Sequence, residues 1–331
     1  MTVINGIEVD KVEYTENSTK LSIKNNDKIE DKLNVIIVIS NPCEYGTRYR
    51  LANEFIKRME SEHIDEIELY VVELAYGEQK HYVAKVNNRK HLQLRTDTAP
   101  LWHKENMINI GINKLLPQNW KAVAWIDADI EFNSASWASD TLKILNGHKD
   151  IVQLFSHAVD MDKKEDAMSI FTSFGFQHEG GKKYGGTGVN FWHPGFAWAM
   201  TRKAYDRVGG VYELSILGSG DHNMAKSLIK NGINSVNNLV TDEYKYSILK
   251  WQHKANGLRL GYVPGVIRHH FHGSKKNRKY SERWQIIVNH KYNPELHVTK
   301  NSYGLLVPTK DCPQGLLDEI MGYFRERNED E

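Results

Sequence analysis

Two aspartates separated by one residue are the sharpest chemical signal in the sequence. Asp127 and Asp129 end an apolar run, KAVAWID (121–127), that has the composition of a buried strand. Side chains at positions i and i+2 of a strand share a face, so both carboxylates would point into one site. Carboxylates this close repel each other unless a cation lies between them, and such oxygen ligands suit Mg²⁺ or Mn²⁺. The alternative is a strand-end turn in which aspartate is an ordinary loop residue.

Three histidines further along the chain could complete a metal site. His269, His270 and His272 fall within four residues, and a turn of the backbone would bring His269 and His272 to one ion. Histidine is the commonest metal ligand among side chains. The alternative is that these are surface or hydrogen-bonded histidines without a ligand.

A basic run follows these histidines directly. It contains Lys275, Lys276 and Arg278, with Lys279 and Arg283 close behind. Such a run is usually a solvated face, and it could also be a nucleic-acid patch. Next to a metal-binding histidine, however, it is well placed to neutralise a diphosphate, which arginine can bind through two hydrogen bonds.

Aromatic residues mark a second candidate surface. Trp192, Phe196 and Trp198 follow a glycine-rich stretch at 178–188. Sugars stack their apolar faces on such rings, but aromatic side chains also pack the core of many proteins. The sequence leaves both interpretations open.

The elements that must position these residues alternate between strand and helix. LNVIIVI (33–39) and ELYVVEL (68–74) are apolar on both faces, as central strands of a parallel sheet are. Helical spacing of apolar residues begins at Thr47 and returns over 103–115. The alternation predicts an α/β fold with a mainly parallel sheet and a ligand site at the carboxyl ends of its strands.

Beyond residue 135 the pattern becomes mixed. The further elements predicted are a helix near 137–146, a strand at 150–155, a mobile loop at 178–188, a strand at 196–200, a helix from Asp221 that Gly232 caps, and a last helix at 315–327 before a frayed NEDE end. No G-x-G-x-x-G follows the first strand, and no G-x-x-x-x-G-K-[ST] occurs. The sequence therefore lacks the main signatures of dehydrogenases and P-loop proteins.

Composition excludes several classes of function. The 331 residues carry a net charge of +1, which gives no overall field to attract nucleic acid or an anionic membrane. The longest apolar runs are far below the roughly 20 residues that a membrane-spanning helix needs, so we predict no integral membrane segment. The amino terminus does not read as a secretory signal, and two cysteines cannot form a disulfide framework. We therefore expect a cytoplasmic protein.

The order and spacing of these motifs resemble the GT-A glycosyltransferases. The pattern is similar to family two and to the inverting galactosyl- and N-acetylhexosaminyltransferases, and it covers roughly residues 33–285. Members commonly show a basic residue ahead of Asn-x-Gly, an Asp-x-Asp after a hydrophobic strand, a Gly-Phe-Ala-like strand, an Arg-x-x-Tyr stretch with paired glycines, an acidic residue that opens a helix, and a late histidine. The matching positions here are Lys104, Asn109 and Gly111; Asp127 and Asp129; Gly195 and Phe196; Arg202, Tyr205, Gly209 and Gly210; Asp221; and His269 or His272.

The resemblance implies a GT-A-like Rossmann-type sandwich in a single catalytic domain. This domain would span 33–295, with a nucleotide-binding half (33–135) and an acceptor half (136–295). A polar extension (1–32) would precede it, and a C-terminal tail with a helix (296–331) would follow.

The resemblance also implies a reaction. A sugar would pass from a nucleoside diphosphate sugar, most simply a UDP-sugar, to a hydroxyl group of a glycan or glycoconjugate. Inversion at the sugar carbon is the expected outcome, and a retaining mechanism is the alternative. The resemblance favours Asp129 and His272 as ligands of Mn²⁺ or Mg²⁺, with Asp127 and His269 second, and Asp221 as the general base. The donor residues would be Pro42, Glu44, Arg48, Lys104, Asp127, Lys275, Lys276 and Arg278, and the acceptor residues Trp192, Gly195, Phe196 and Trp198.

Two other functions fit parts of the sequence. A sugar-nucleotide pyrophosphorylase also combines a parallel sheet with metal-binding carboxylates, but it generally needs a glycine-rich loop after its first strand, and SNPCEYGTRYR has little glycine. A non-catalytic carbohydrate- or nucleic-acid-binding protein could use the basic stretch at 268–283. It would bind without turnover, with an affinity that depends on salt and not on a metal ion.

Overall fold

A central sheet of seven strands organises the chain. The computed structural model describes residues 3–4, 7–8, 16–185, 191–279 and 281–331. The strands in these ranges are β1 (Val3–Ile4), β2 (Ile7–Glu8), β3 (Leu33–Ser40), β4 (Ile67–Tyr76), β5 (His91–Thr96), β6 (Ala122–Ile126), β7 (Ile130–Phe132), β8 (Ile151–Gln153), β9 (His157–Met161), β10 (Ala167–Ser173), β11 (Trp192–His193), β12 (Ala197–Thr201), β13 (Leu260–Tyr262), β14 (Val266–His269), β15 (Val298–Lys300) and β16 (Leu306–Pro308). The helices are α1 (Ser18–Asn25), α2 (Gly46–Glu62), α3 (Lys104–Leu115), α4 (Trp137–Leu145), α5 (Phe174–Glu179), α6 (Arg202–Val208), α7 (Gly220–Leu228), α8 (Asp242–Ala255), α9 (Arg283–Asn289) and α10 (Gln314–Glu326), with short 3₁₀ helices at Gly232–Ser235 and Lys275–Arg278.

The order of the central sheet is β13-β8-β12-β6-β3-β4-β5. Strands β3, β4, β5 and β6 run parallel to one another, and so do β8 and β13. Strand β12 is antiparallel to both of its neighbours. The chain passes from β6 to β12 through strands of a second sheet, so no single helical crossover imposes a parallel direction on β12. The predicted α/β fold with a mainly parallel sheet is confirmed.

The packing around β3 explains why the sequence of this strand is apolar on both faces. Ile36 packs on one side of the sheet with Ile108 of α3, whereas Val35 and Ile37 pack on the other side with Phe55 of α2. All of these side chains are buried. A strand covered by helices on both faces has no solvent side, and this removes the polar alternation of a surface strand.

A second sheet, in the order β11-β10-β9-β14-β7, begins where β6 ends. Strands β7 and β14 are antiparallel, and their register places His269 opposite Ile130, the residue after Asp129. The N–H of His270 donates to the carbonyl oxygen of Asp129 over 2.8 Å. Pairing of strands that are far apart in the sequence therefore brings the Asp127–Asp129 turn to the predicted histidine cluster.

Several sequence predictions need correction. Helix α7 ends at Leu228 and Ile229 follows it as the C-cap, so Gly232 does not cap this helix. Gly232 instead begins a 3₁₀ turn, where a Cβ atom would lie 2.5 Å from Oγ of Ser227. Of the glycine-rich stretch predicted as a mobile loop, residues 186–188 lie outside the described residues. The predicted fraying of the C-terminus is wrong, because Glu329 is only 2% exposed.

Within the ranges that the structure describes, no helix combines the length and the apolar character needed to cross a membrane.

Candidate active site

One cavity of about 580 Å³ lies at the carboxyl ends of β3 and β6, against the second sheet. This volume falls in the range of small-molecule binding sites. The predicted site residues that line it are Pro42, Arg48, Lys104, Asp127, Asp129, Gly195, Phe196, Asp221, His269, His272 and Arg278. Glu44, Trp192, Trp198 and Lys276 are not among its lining residues, and the side chain of Lys275 lies outside the described part of the chain.

Three side chains in this cavity form a compact group of metal-ligand type. Nε2 of His272 lies 2.9 Å from Oδ2 of Asp129 and 3.3 Å from Nε2 of His269. Nε2 of His269 lies 3.9 Å from the same Asp129 oxygen. One ligand atom from each residue falls within 4.8 Å of the other two, so a single cation could contact all three.

The donor set fits a divalent cation. Oδ1 of Asp129 is buried and accepts no hydrogen bond within the part of the chain that the structure describes, and a buried carboxylate oxygen without a partner is costly. Burial by itself would raise the pKa of Asp129, but His272, His269 and Arg278 hold that pKa well below its usual range. Asp129 is therefore an anion that could bind a cation.

His269 is held in the orientation that a metal ligand needs. Its Nδ1 lies 2.8 Å from Oδ1 of Asp160, a buried residue at the neighbouring register position of β9. Burial lowers the pKa of His269, although Asp160 opposes this shift. A proton on Nδ1 would be donated to Asp160, which would leave the lone pair of Nε2 facing Asp129 and His272.

Asp127 has a different partner from Asp129. The two aspartates lie in a turn and not on the strand, because β6 ends at Ile126, so they do not share a strand face as predicted. Nζ of Lys104 lies 2.5 Å from Oδ1 of Asp127. Burial would lower the pKa of Lys104, but Asp127 and Asp221 raise it above its usual value. The amine is therefore a fixed positive charge beside the group of possible metal ligands.

Asp221 reaches the cavity from the first turn of α7. Its Oδ1 accepts a hydrogen bond of 2.7 Å from the N–H of His222. Glu105 lies nearby, since a Cβ atom on Gly220 would come within 2.6 Å of Oε1 of Glu105. Burial raises the pKa of Glu105 to about 8, so this carboxyl group is largely protonated at neutral pH. Asp221 and Glu105 thus form an acidic region on the side of the cavity that Lys104 borders.

A glycine makes room for Asp221. A Cβ atom on Gly195 would lie 2.7 Å from Oδ2 of Asp221 and 3.1 Å from Cε1 of His193. We expect Gly195→Ala to displace the Asp221 carboxylate while the fold persists, because a carboxylate end can rotate away. Turnover should fall on the order of tenfold or more, since small misplacements of reacting groups are costly. Steady-state kinetics and thermal unfolding check this prediction.

Gly322→Ala is the matched control, because nothing lies within 4 Å of a Cβ atom at that position of α10. Its turnover should equal that of the wild type. A Gly195→Ala variant with wild-type turnover would show that the position of Asp221 does not limit the reaction.

An aromatic wall lines the cavity near Gly195. The ring of His193 stacks on Phe196, with centroids 4.2 Å apart, and on Phe171, with centroids 4.8 Å apart, and the two phenylalanines contact each other at 6.1 Å. Phe191 contacts His193 edge to face and is 42% exposed. Phe196 has a φ of 77°, a conformation that non-glycine residues adopt mostly where function or packing enforces it.

The two tryptophans predicted for the acceptor lie elsewhere. Trp192 is buried and packs edge to face on Phe174. Trp198 is buried too, and its Nε1 donates to the carbonyl oxygen of Pro194. Both rings therefore belong to the core, whereas the aromatic surface of the cavity comes from their sequence neighbours.

Four arginines and one glutamate complete the cavity. Arg48, Arg278, Arg283 and Arg327 line it together with Glu329. Nη2 of Arg278 lies 2.7 Å from Nε2 of His272. Burial would raise the pKa of Glu329, but Arg48 and Arg327 hold it well below its usual range. The cavity therefore combines a group of possible metal ligands with a concentration of positive charge.

Several of these residues escaped the sequence analysis. Asp160 is an acidic residue within the otherwise largely apolar strand β9, and a carboxylate in such a strand was a usable signal. His193 lies inside the aromatic stretch 191–198, so it could also have been predicted as a site residue from the sequence. Glu329 had no local signal, because an acidic terminus of alternating charge normally indicates a solvated end.

No protein-family model matches the chain, and no curated protein matches it. Solved structures give distant likenesses. A variant of Drosophila β-1,4-galactosyltransferase 7 in complex with manganese, UDP-Gal and xylobiose is 10% identical with a TM-score of 0.38, over 84% of this chain and 95% of that one. A protein predicted to be a nucleotide-diphospho-sugar transferase from Desulfovibrio desulfuricans is 9% identical with a TM-score of 0.34, over 90% and 99%. The glycosyltransferase GlyE of Streptococcus pneumoniae is 11% identical with a TM-score of 0.29, over 89% and 60%. These TM-scores lie below 0.5, so the activity has to be argued from the residues of this chain.

Proposed function

We propose that this protein is a metal-dependent glycosyltransferase that moves a sugar from a nucleoside diphosphate sugar to a hydroxyl group of a glycan or glycoconjugate. The observation that carries the proposal is the group formed by Asp129, His269 and His272 in a cavity that also holds Asp221 and several cationic side chains. Metal ligands and cations suit a diphosphate leaving group, and a carboxylate suits removal of the acceptor proton.

The metal we propose is Mn²⁺. Mg²⁺ prefers ligand sets made only of oxygen, whereas two imidazoles and one carboxylate make a mixed set. When bound, such a cation stabilises the negative charge that develops on the diphosphate. Asp127 remains paired with Lys104 in this proposal and faces the ribose or a water molecule bound to the metal.

The donor we propose is a UDP-sugar, as the sequence resemblance implies. Pro42 and Arg48 lie after β3, where nucleotides bind in open α/β sheets, and Lys104 borders the metal ligands. Nε2 of His272 cannot give its lone pair to Arg278 and to a cation at once. We therefore expect Arg278 to exchange His272 for oxygens of the diphosphate when donor and metal bind.

The acceptor would approach along the aromatic wall of Phe171, Phe191, His193 and Phe196. Sugars have apolar faces that stack on such rings. Asp221 would accept the proton of the attacking hydroxyl group, so that the bond to the new oxygen forms as the bond to the diphosphate breaks, with inversion at the sugar carbon.

Binding of UDP and Mn²⁺ should be strongly synergistic. The cation would be held by Asp129, His269 and His272 and would neutralise charge on the diphosphate, so each ligand would strengthen the binding of the other. We expect the dissociation constant of UDP, measured by calorimetry, to be at least about tenfold lower in Mn²⁺ than in EDTA. Thermal unfolding gives a second readout, because a ligand at about a hundred times its dissociation constant stabilises the native state by about 2.7 kcal/mol.

Three measurements separate the rival functions. Equal UDP affinity in Mn²⁺ and in EDTA would contradict the metal-dependent transferase. A pyrophosphorylase would release a nucleoside triphosphate from a nucleotide sugar and pyrophosphate. A nucleic-acid-binding protein would bind an oligonucleotide in EDTA with an affinity that falls steeply with salt.

A further inference from the structure

The last residues of the chain enter the candidate active site. We call Arg327–Asp330 the C-terminal segment. Arg327 and Glu329 both line the cavity, and both side chains are almost fully buried. The proposed reaction assigns no role to either residue. A carboxylate removed from water this completely requires specific partners, and the partners show what it does.

The first partner of Glu329 is Arg48. Nη2 of Arg48 donates to Oε1 of Glu329 over 2.8 Å, and Nε of Arg48 donates to Oε2. Nε of Arg327 donates to Oε1 over 2.5 Å. A two-pronged contact between guanidinium and carboxylate fixes the plane of the guanidinium group. Glu329 therefore determines how Arg48 faces the region where the donor nucleotide is proposed to bind.

The second partner is the possible metal ligand His272. Oε2 of Glu329 lies 3.6 Å from Nδ1 of His272, on the side of the ring away from Asp129. His269 has a carboxylate in the corresponding position but closer, since its Nδ1 lies at hydrogen-bond distance, 2.8 Å, from Oδ1 of Asp160. Each imidazole thus has an acidic side chain behind it and turns Nε2 toward Asp129. Such supporting carboxylates orient metal-binding histidines and strengthen their binding.

The C-terminal segment is anchored on both sides of Glu329. Oδ2 and Oδ1 of Asp330 accept the N–H groups of Gly46 and Thr47 at the start of α2, over 2.9 and 2.8 Å. The hydroxyl group of Tyr45 accepts the N–H of Asn328 over 3.1 Å. A Cβ atom on Gly273 would lie 3.0 Å from the carbonyl oxygen of Asn328. These contacts hold the C-terminal segment firmly in place as part of the cavity lining.

We propose that the C-terminal segment completes the active site, with Glu329 as a positioning residue that links Arg48 in the donor region to His272 in the metal site. This inference rests on the proposed function. It predicts that donor affinity and metal affinity both depend on Glu329.

The test is Glu329→Gln in the chain of 331 residues. Glutamine keeps the size of the side chain but removes its charge, and its single amide oxygen cannot accept from both Nε and Nη2 of Arg48 as the two carboxylate oxygens do. We expect the dissociation constants of Mn²⁺ alone and of UDP with Mn²⁺ to rise about tenfold or more. The KM for the donor should rise more than kcat falls, and Glu329→Asp should give intermediate values.

Glu331→Gln is the matched control, since Glu331 is exposed and its Oε2 accepts only from Asn277 within the described contacts. It should bind both ligands as the wild type does. Unchanged or tighter UDP binding by Glu329→Gln would overturn the inference, and tighter binding would identify the segment as an inhibitory plug.

A second variant keeps the test decisive if Glu329→Gln does not fold. Asp330→Asn weakens the anchor on α2 without touching Arg48 or His272. We expect the KM for the donor to rise severalfold, and an unchanged KM would contradict the inference. Wild-type protein that binds neither Mn²⁺ nor UDP would instead contradict the proposed function itself.

Discussion

Asp129→Asn is expected to abolish Mn²⁺ binding and to lower turnover about a thousandfold. Asp129 is the anionic member of the possible metal-ligand group, and its buried Oδ1 has no hydrogen-bond partner among the described residues. An amide offers the cation a weaker, neutral ligand. Loss of the several kcal/mol that a cation contributes to a developing negative charge corresponds to about three powers of ten in rate.

Calorimetric titration with Mn²⁺ and steady-state kinetics check this expectation. Circular dichroism should show an intact fold, because Asp129 lies in a turn at the cavity and contributes no apolar packing. Asp166→Asn is the control, since Asp166 is an exposed aspartate in the turn between β9 and β10. A Mn²⁺ affinity of Asp129→Asn equal to that of the wild type would place the metal elsewhere or remove it from the mechanism.

Asp221→Asn is expected to lower kcat by a hundredfold or more and to leave the dissociation constants of UDP and Mn²⁺ unchanged. Asparagine can still accept the hydrogen bond from the N–H of His222, so the local structure should persist. It cannot, however, accept the proton of the acceptor hydroxyl group. Loss of a general base typically costs a factor of this size.

The alternative for Asp221 is a purely structural role at the start of α7. Asp221 is not the N-cap residue of α7, because Ser219 occupies that position and Asp221 is the second residue of the helix. Its structural role would therefore be limited to its charge in the first turn. A carboxylate in the first turn contributes about 0.3–1 kcal/mol through the helix dipole. Asp242→Asn in the first turn of α8 reproduces that loss at an exposed position and is the matched control.

The two roles give different results. With donor and acceptor saturating, Asp242→Asn should keep full turnover and Asp221→Asn should not. If Asp221→Asn loses only stability, the base lies elsewhere, and the buried Glu105 carboxyl group beside Gly220 is the next residue to replace.

Local patterns determined the first half of the fold. LNVIIVI is apolar at consecutive positions because helices cover both faces of β3. Burial of both faces can therefore be predicted from a short stretch of sequence. The aspartates after β6 and the helix near Asp221 were predicted for the same reason. Strand β12 was also predicted, but its direction was not, since the direction of a strand depends on the path by which the chain returns.

The tertiary structure alone decided how the site is assembled. His269 meets Asp129 because β14 pairs with β7, across about 140 residues of sequence. Phe171 and Phe191 line the cavity whereas Trp192 and Trp198 are buried in the core. The packing of the two sheets determines this difference. Glu329 was predicted to be solvated because its neighbours in sequence are polar, yet Arg48 and Arg327 hold it inside. Periodicity reports only neighbours within a few residues, whereas the partners that compensate a buried charge come from anywhere in the chain.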